Sequence, residues 1–115
     1  MTASHRTLCL PRVPKHCMSS DHVFCVLLPV LPARDALLGG LKAEGIHAVF
    51  HYVPLHSSPM GRKLGCAGAP LPLTDDLAAR VVRLPMYYEM TEKKQGRVAD
   101  GLTAWCEALP RTAAG

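Results

Sequence analysis

The sequence predicts an α/β fold, a small sandwich in which a roughly three-stranded sheet is covered by helices on one side. Three observations lead there. Runs rich in β-branched and aromatic residues at 22–28 (HVFCVLL), 46–52 (IHAVFHY) and 81–84 (VVRL) each meet a proline within two residues of their end, as strands leaving a sheet do. Between and after them, residues 33–44 and 91–109 carry apolar side chains at helical spacing. The chain has 115 residues, which supports one core and not two.

Residues 1–14 have no period, and Pro11 and Pro14 bar a helix, so they read as an extended lead-in to a domain over residues 15–109. The run 22–28 suits a strand buried on both faces. In the helix 33–44, Leu37, Leu38 and Leu41 form one stripe and Gly45 supplies the left-handed stop. The pair Gly39-Gly40 weakens this helix by about 1 kcal/mol per glycine relative to alanine. Along 46–52, alternation sets His47, Val49 and His51 on one face and Ile46, Ala48, Phe50 and Tyr52 on the other. Pro54 has no N–H to give a sheet, so the strand stops and the chain turns.

A polar turn, Ser57-Ser58-Pro59, and the basic pair Arg62-Lys63 follow, and residues 66–73 read as a Gly/Pro-rich loop. Thr74 is expected to cap a short helix with Asp75 and Asp76 in its first turn, where the helix dipole favours negative charge. That helix gives way to strand 81–84. Thr91 caps the last helix, whose Val98, Leu102, Trp105 and Leu109 are expected to cover the sheet, and residues 110–115 read as a frayed tail. Aromatics are few, so Phe24, Phe50, Tyr52, Tyr87, Tyr88 and Trp105 are expected to carry much of the packing.

Several function classes are disfavoured. The net charge of +4 comes from scattered Arg and Lys with no basic stripe interleaved with aromatics, which argues against nucleic acid as a partner. The longest apolar run is broken by Pro29 and is far too short to span a membrane. The five cysteines are odd in number and include no CxxC, so the chain reads as cytoplasmic, with Cys25 and Cys106 as small core residues. His47 and His51 share a strand face but stand about 13 Å apart at ~3.3 Å per residue, too far to share an ion, so no metal is expected. No local signature supports a Cys–His nucleophile.

The stretch HAVFHYVPLHSSPMGRKLG at 47–65 carries a family resemblance. Together with HVFCVLLP, RDALLGGLKAEGI and LAARVVRLPMYYEMTEKKQGRV, it resembles the C-terminal small domain of the DegT/DnrJ-type sugar aminotransferases. The pattern is most similar to the dTDP-4-amino-4,6-dideoxygalactose transaminases of surface-polysaccharide pathways. The likeness runs over roughly residues 10–109 and implies the small-domain fold of the fold-type I pyridoxal-phosphate transferases.

The resemblance also implies a division of labour. Such enzymes draw their Schiff-base lysine, pyridine-facing carboxylate and phosphate cradle almost entirely from a large N-terminal domain, which this sequence does not show. Lys15, Lys42, Lys63, Lys93 and Lys94 all lie in polar contexts. Pyridoxal phosphate is therefore expected in the complete enzyme and not in this chain alone. The expected partners are that missing domain or a second subunit, with a nucleotide-sugar substrate. No residue here is expected to be catalytic. By analogy with the loop at the mouth of the family's active site, His51, Tyr52 and His56 are expected to face substrate. The alternative makes Tyr52 a core aromatic and His51 a residue that merely caps the strand.

The function implied is that of a C-terminal domain, as fragment or split subunit. The complete enzyme would convert a dTDP-4-keto-6-deoxyhexose to its 4-amino sugar, with the chain inactive alone. The alternative is a non-catalytic binding or subunit-interaction module.

Overall fold

Val81-Val82-Arg83-Leu84 becomes the central strand of the sheet, and the other elements are arranged around it. In a computed structural model, which describes residues 8–29, 33–65 and 68–109, the strands are β1 (Phe24–Leu27), β2 (Val49–Phe50) and β3 (Val81–Leu84). Their order is β1-β3-β2 and both pairings are antiparallel, with Val26 and Phe50 each opposite Val82. The helices are α1 (Ala33–Ala43), α2 (Pro59–Lys63), α3 (Pro72–Arg80) and α4 (Glu92–Ala108), with one 3₁₀ turn at Leu55–Ser57.

Val26, Leu28 and Val82 point from the sheet into a core closed by Ala33, Leu37 and Leu41 of α1, Ile46, and Val98 of α4. The predicted stripe of α1 is therefore its buried face, with Leu38 at the margin. The α/β architecture and three-stranded sheet are as the sequence predicts. The aromatics are not. Phe24, Phe50, Tyr52, Tyr87 and Tyr88 are all exposed, and of the six only Trp105 packs against the core. The core is aliphatic because β-branched and leucine side chains from a four-residue strand and a three-turn helix already fill the narrow gap between the layers.

Both outer strands are shorter than their apolar runs. Residues 22–28 contribute only Phe24–Leu27, and the strand is not buried on both faces: Val26 is buried, while Cys25 and Leu27 are half-buried. Residues 46–52 contribute only Val49–Phe50. The reason lies at the end of α1. Gly45 takes φ +74°, its N–H donates to the Lys42 carbonyl at 3.0 Å, and the Ile46 N–H donates to the Leu41 carbonyl at 2.8 Å. This paired closure draws Ile46 into the core beside Leu41, so the residue belongs to the helix end and not to the strand.

Further differences are local. Helix α3 starts at Pro72, not at a Thr74 cap, because a proline at the first helical position is pre-set for the turn and has no N–H to leave unpaired. Thr91 caps α4 as expected, accepting from the Lys94 N–H at 3.4 Å. In the lead-in, Cys9 exchanges both backbone hydrogen bonds with Leu27, at 2.9 and 3.0 Å, and so adds a bridge outside β1. Residues 110–115, read as a tail, lie outside the described residues.

Helix α3 runs into β3 without a loop, and Arg80 secures the junction. Its Nη1 donates to the Leu28 carbonyl at 2.8 Å, its Nε donates to Asp76 Oδ1 at 3.0 Å, and its own carbonyl accepts from the Leu28 N–H at 3.1 Å. The hydrogen bond from Arg80 holds the Asp76 carboxyl below its usual range. A depressed carboxylate stabilises the fold above its unfolded pKa, and that contribution is lost as pH falls through the lower folded value.

Two glycines make opposite predictions. A Cβ on Gly39 would meet nothing within 4 Å, whereas one on Gly61 would lie 1.9 Å from the Leu55 carbonyl oxygen. Gly39→Ala should raise stability by about 1 kcal/mol, the helix-propensity difference. Gly61→Ala should lower it by about 1–3 kcal/mol, as overpacking does. Urea titration of the two variants against the parent chain checks both signs.

Candidate functional site

Beyond Phe50 the chain leaves the sheet through Tyr52, whose φ is +54°. That left-handed conformation is strained for a bulky aromatic, and it breaks the strand's alternation. Tyr52 therefore does not join Phe50 on the core side. It is 68% exposed, and its ring lies 5.8 Å from the guanidinium of Arg83, which faces away from the core. The reading of Tyr52 as a core aromatic is thus corrected. His51 is exposed too, its ring tilted against that of Tyr52 at 5.3 Å.

The following loop is tied to itself. The Pro54 carbonyl accepts from the Ser57 and Ser58 N–H groups at 3.2 and 2.9 Å, which winds the 3₁₀ turn. Ser58 then caps α2, accepting from the Gly61 N–H at 2.9 Å, while its hydroxyl donates to the Leu55 carbonyl at 2.9 Å. Arg62 reaches back with Nε to the Ser57 carbonyl at 3.1 Å. A loop with this many internal bonds holds His56 in one place.

His56 faces α3. Its side chain is 17% exposed and Nε2 lies 3.0 Å from Asp75 Oδ1. The contact is at ion-pair distance but off hydrogen-bond direction, and among the described residues the shielded Nε2 has no hydrogen-bond partner. Two hollows flank this pair. One of about 370 Å³ is lined by Arg34, Phe50, Tyr52, Ser57 and Asp75 among others. The second, of about 350 Å³, contains His56, Arg62, Gly68, Ser57 and Asp75. Ser57 and Asp75 line both. Arg34 closes the first from α1, donating from Nη1 to the Ala78 carbonyl at 3.1 Å with its guanidinium 5.7 Å from the Phe50 ring.

Of the three residues expected to face substrate, Tyr52 and His56 thus line neighbouring hollows, and His51 reaches them only through its contact with Tyr52. The sequence reading missed Arg34, Ser57 and Asp75. Asp75 was visible only as a helix-terminal charge, and nothing local in the sequence pairs it with a histidine nineteen positions earlier. The cleft can bind polar groups: it offers an imidazole, a carboxylate, a guanidinium and hydroxyls around an apolar floor.

Lys15, Lys42, Lys63, Lys93 and Lys94 are all exposed. Burial pushes the thiols of Cys25 and Cys106 up, which makes them poor nucleophiles. Among the described residues no three His, Cys, Asp or Glu side chains are placed to hold a metal ion, and no helix is long and apolar enough to cross a membrane.

Residues 3–103 match the DegT/DnrJ/EryC1/StrS aminotransferase family. The chain is 37% identical over 91 residues to the UDP-N-acetyl-3-dehydro-alpha-D-glucosamine 3-aminotransferase of Acidithiobacillus ferrooxidans, covering 78% of this chain and 23% of that protein. It is 34% identical over 88 residues to a pleiotropic regulatory protein of Geobacillus stearothermophilus, covering 76% and 24%. The chain therefore spans about a quarter of the length of the curated relatives it matches. Among solved structures, DesV of Streptomyces venezuelae, in complex with a ketimine intermediate, superposes with a TM-score of 0.77 at 27% identity over 94% of this chain and 29% of that one. The aminotransferase TlmJ of Streptoalloteichus hindustanus shares the fold, with a TM-score of 0.79 at 23% identity over 95% and 29%.

The strained Tyr52 generates a test. Replacing it by glycine removes a conformational cost of about 1–3 kcal/mol and forfeits only a mostly exposed ring. Tyr52→Gly should keep or raise the melting temperature. A loss of more than about 5 °C would show that the ring is a structural element and not one held out for binding.

Proposed function

The chain belongs to the DegT/DnrJ/EryC1/StrS aminotransferase family, and we propose that it acts as the C-terminal domain of a pyridoxal-phosphate-dependent nucleotide-sugar aminotransferase, as a fragment or one subunit of a split enzyme. The observation that carries this reading is the family match over residues 3–103, joined to a polar cleft at the Tyr52–His56 loop. In the complete enzyme the reaction proposed is conversion of a dTDP-4-keto-6-deoxyhexose to its 4-amino sugar for surface-polysaccharide synthesis, in the cytoplasm. A nucleotide-linked amino sugar is supported by the names of several relatives. The 4-position rests on the resemblance in sequence pattern over residues 10–109 alone.

Pyridoxal phosphate, when bound, supplies an electron sink that allows an amino group to be exchanged between donor and keto-sugar. The residues of this chain do not fit it. A lysine that holds the cofactor must be neutral near pH 7, which burial or a neighbouring cation brings about. The five lysines here are exposed. In this reading the cofactor is assigned to a large domain outside these residues or to a second subunit, and the chain alone is inactive.

This chain's part is to bind and orient. His56, backed by Asp75, presents an imidazole to the cleft. Tyr52 offers a hydroxyl and an apolar face suited to a sugar ring, with His51 packed behind it. The exposed lysines also favour a second reading, a non-catalytic binding or subunit-interaction module derived from the same domain.

Co-expression with the separately encoded large domain of a relative distinguishes the two. The first reading expects amination of a dTDP-keto-sugar to appear. His56→Ala should then reduce turnover by about ten-fold, an orientation effect, while the melting temperature of the complex stays within a few degrees. Activity indifferent to His51, Tyr52 and His56 would remove the site assignment. A stable complex with no amination would favour the binding module.

A further inference from the structure

A further hollow lies where the Gly45 turn meets α4. Its volume is about 250 Å³, and it shares no lining residue with the two hollows beside His56. Separate parts of the chain bring cationic and proton-donating groups to it. His47 comes from the segment after the turn, Tyr87 from the connection between β3 and α4, and Lys94 and Arg97 from the first turns of α4. Ile46 and Val98, both buried, give it an apolar wall. No carboxylate is among the described residues that line it.

The two cations are held in place by groups that leave their charge uncancelled. Lys94 Nζ stands 5.3 Å from the centre of the Tyr87 ring, and Arg97 Nη2 donates to the Glu44 backbone carbonyl. A ring face and a carbonyl both attract a cation without neutralising it. Among the described residues the carboxylates in ion pairs serve Arg34, His56 and Arg80, and none serves Lys94 or Arg97. Glu44 and Asp100 line a neighbouring hollow that Arg97 also borders, yet no ion pair joins either of them to it. Lys94 and Arg97 are three positions apart on one helix and so are neighbours of like charge.

We propose that this hollow is an anion site for the phosphate group of a small phosphate monoester. The site stands independently of the aminotransferase reading. Such a phosphate carries about two negative charges near neutral pH and presents three acceptor oxygens. Lys94 and Arg97 match that charge with charge-assisted hydrogen bonds, and the His47 imidazole and Tyr87 hydroxyl add further donors. The volume suits a phosphate with a body of sugar size. A nucleic-acid strand would need an extended basic track, which the scattered charge of this chain does not provide.

The test titrates the full chain with inorganic phosphate, with a hexose 1-phosphate and with the free hexose, at constant ionic strength, following backbone amides by NMR. Both phosphates are expected to saturate with a Kd of about 1 mM or tighter and to shift amides within residues 45–47 and 87–98, while the free hexose shifts none. Lys94→Gln combined with Arg97→Gln should weaken binding about ten-fold or more. Lys93→Gln removes the same charge from the neighbouring hollow and should leave binding within about two-fold. Arg97 also holds the end of α1 through the Glu44 carbonyl, so Lys94→Gln alone decides should the double variant lose its folded spectrum. It should weaken binding about five-fold. Shifts that do not saturate, shifts spread over every basic residue, binding of the free ion with the ester excluded, or equal effects of Lys93→Gln and Lys94→Gln would each overturn the site.

Discussion

β3 is the strand on which both the core and the cleft depend. It is the only one of the three described strands with a neighbour on each side, so every sheet hydrogen bond beyond the Cys9 bridge involves it. Its register sets Val82 between Val26 and Phe50, and the same register sends Arg83 to the opposite face. Because α3 enters β3 with no intervening loop, the strand also fixes where α3 lies. Arg80 locks that junction to the end of β1 through the Leu28 carbonyl. Helix α3 in turn carries Asp75, against which His56 rests. A shift of β3 by one residue would expose Val82, bury Arg83 and turn Asp75 away from the loop.

The cleft is best understood as a loop made rigid by short-range bonds and pressed against that helix. Ser57, Ser58, Gly61 and Arg62 make their hydrogen bonds within the loop, which leaves Tyr52 facing outward and His56 turned toward Asp75 of α3. Gly61 has to be glycine because the Leu55 carbonyl occupies the place of its side chain. Strain at Tyr52, an imidazole nitrogen shielded without a hydrogen bond and a close-packed glycine are features that stability alone would not select. In the proposed function they belong to the surface that receives the ligand.

How much of this was legible in the sequence depends on the range of the interaction involved. Strand 81–84, the Gly45 stop and the Thr91 cap were readable because each is decided by a few adjacent residues: a β-branched run, a left-handed glycine, a hydroxyl before a helix. The start of α3 is also written locally, in Pro72, but Thr74 followed by two aspartates carries a competing cap signal two residues later. Two features were not legible. The turns at Leu55–Ser57 and Pro59–Lys63 are too short to show a period, although Ser58-Pro59 is a cap followed by a first-turn proline. The left-handed Tyr52 runs against the ordinary preference of an aromatic residue, and that single φ is what moved it from the core side to Arg83. The aromatics misled for a related reason, since their size suggested burial, whereas aliphatic side chains fill the core and only Trp105 of the six packs against it.

In the proposed function this chain contributes a binding surface, while the lysine chemistry of the family lies elsewhere. The most direct measurement mixes the isolated protein with pyridoxal phosphate, reduces with borohydride, and maps the modified lysines by mass spectrometry after dialysis and digestion. Weak labelling spread over Lys15, Lys42, Lys63, Lys93 and Lys94 is expected, because all five are exposed and none is enclosed in a pocket that would hold the cofactor. Stoichiometric modification of one lysine, with a visible absorbance band that survives dialysis, would contradict it.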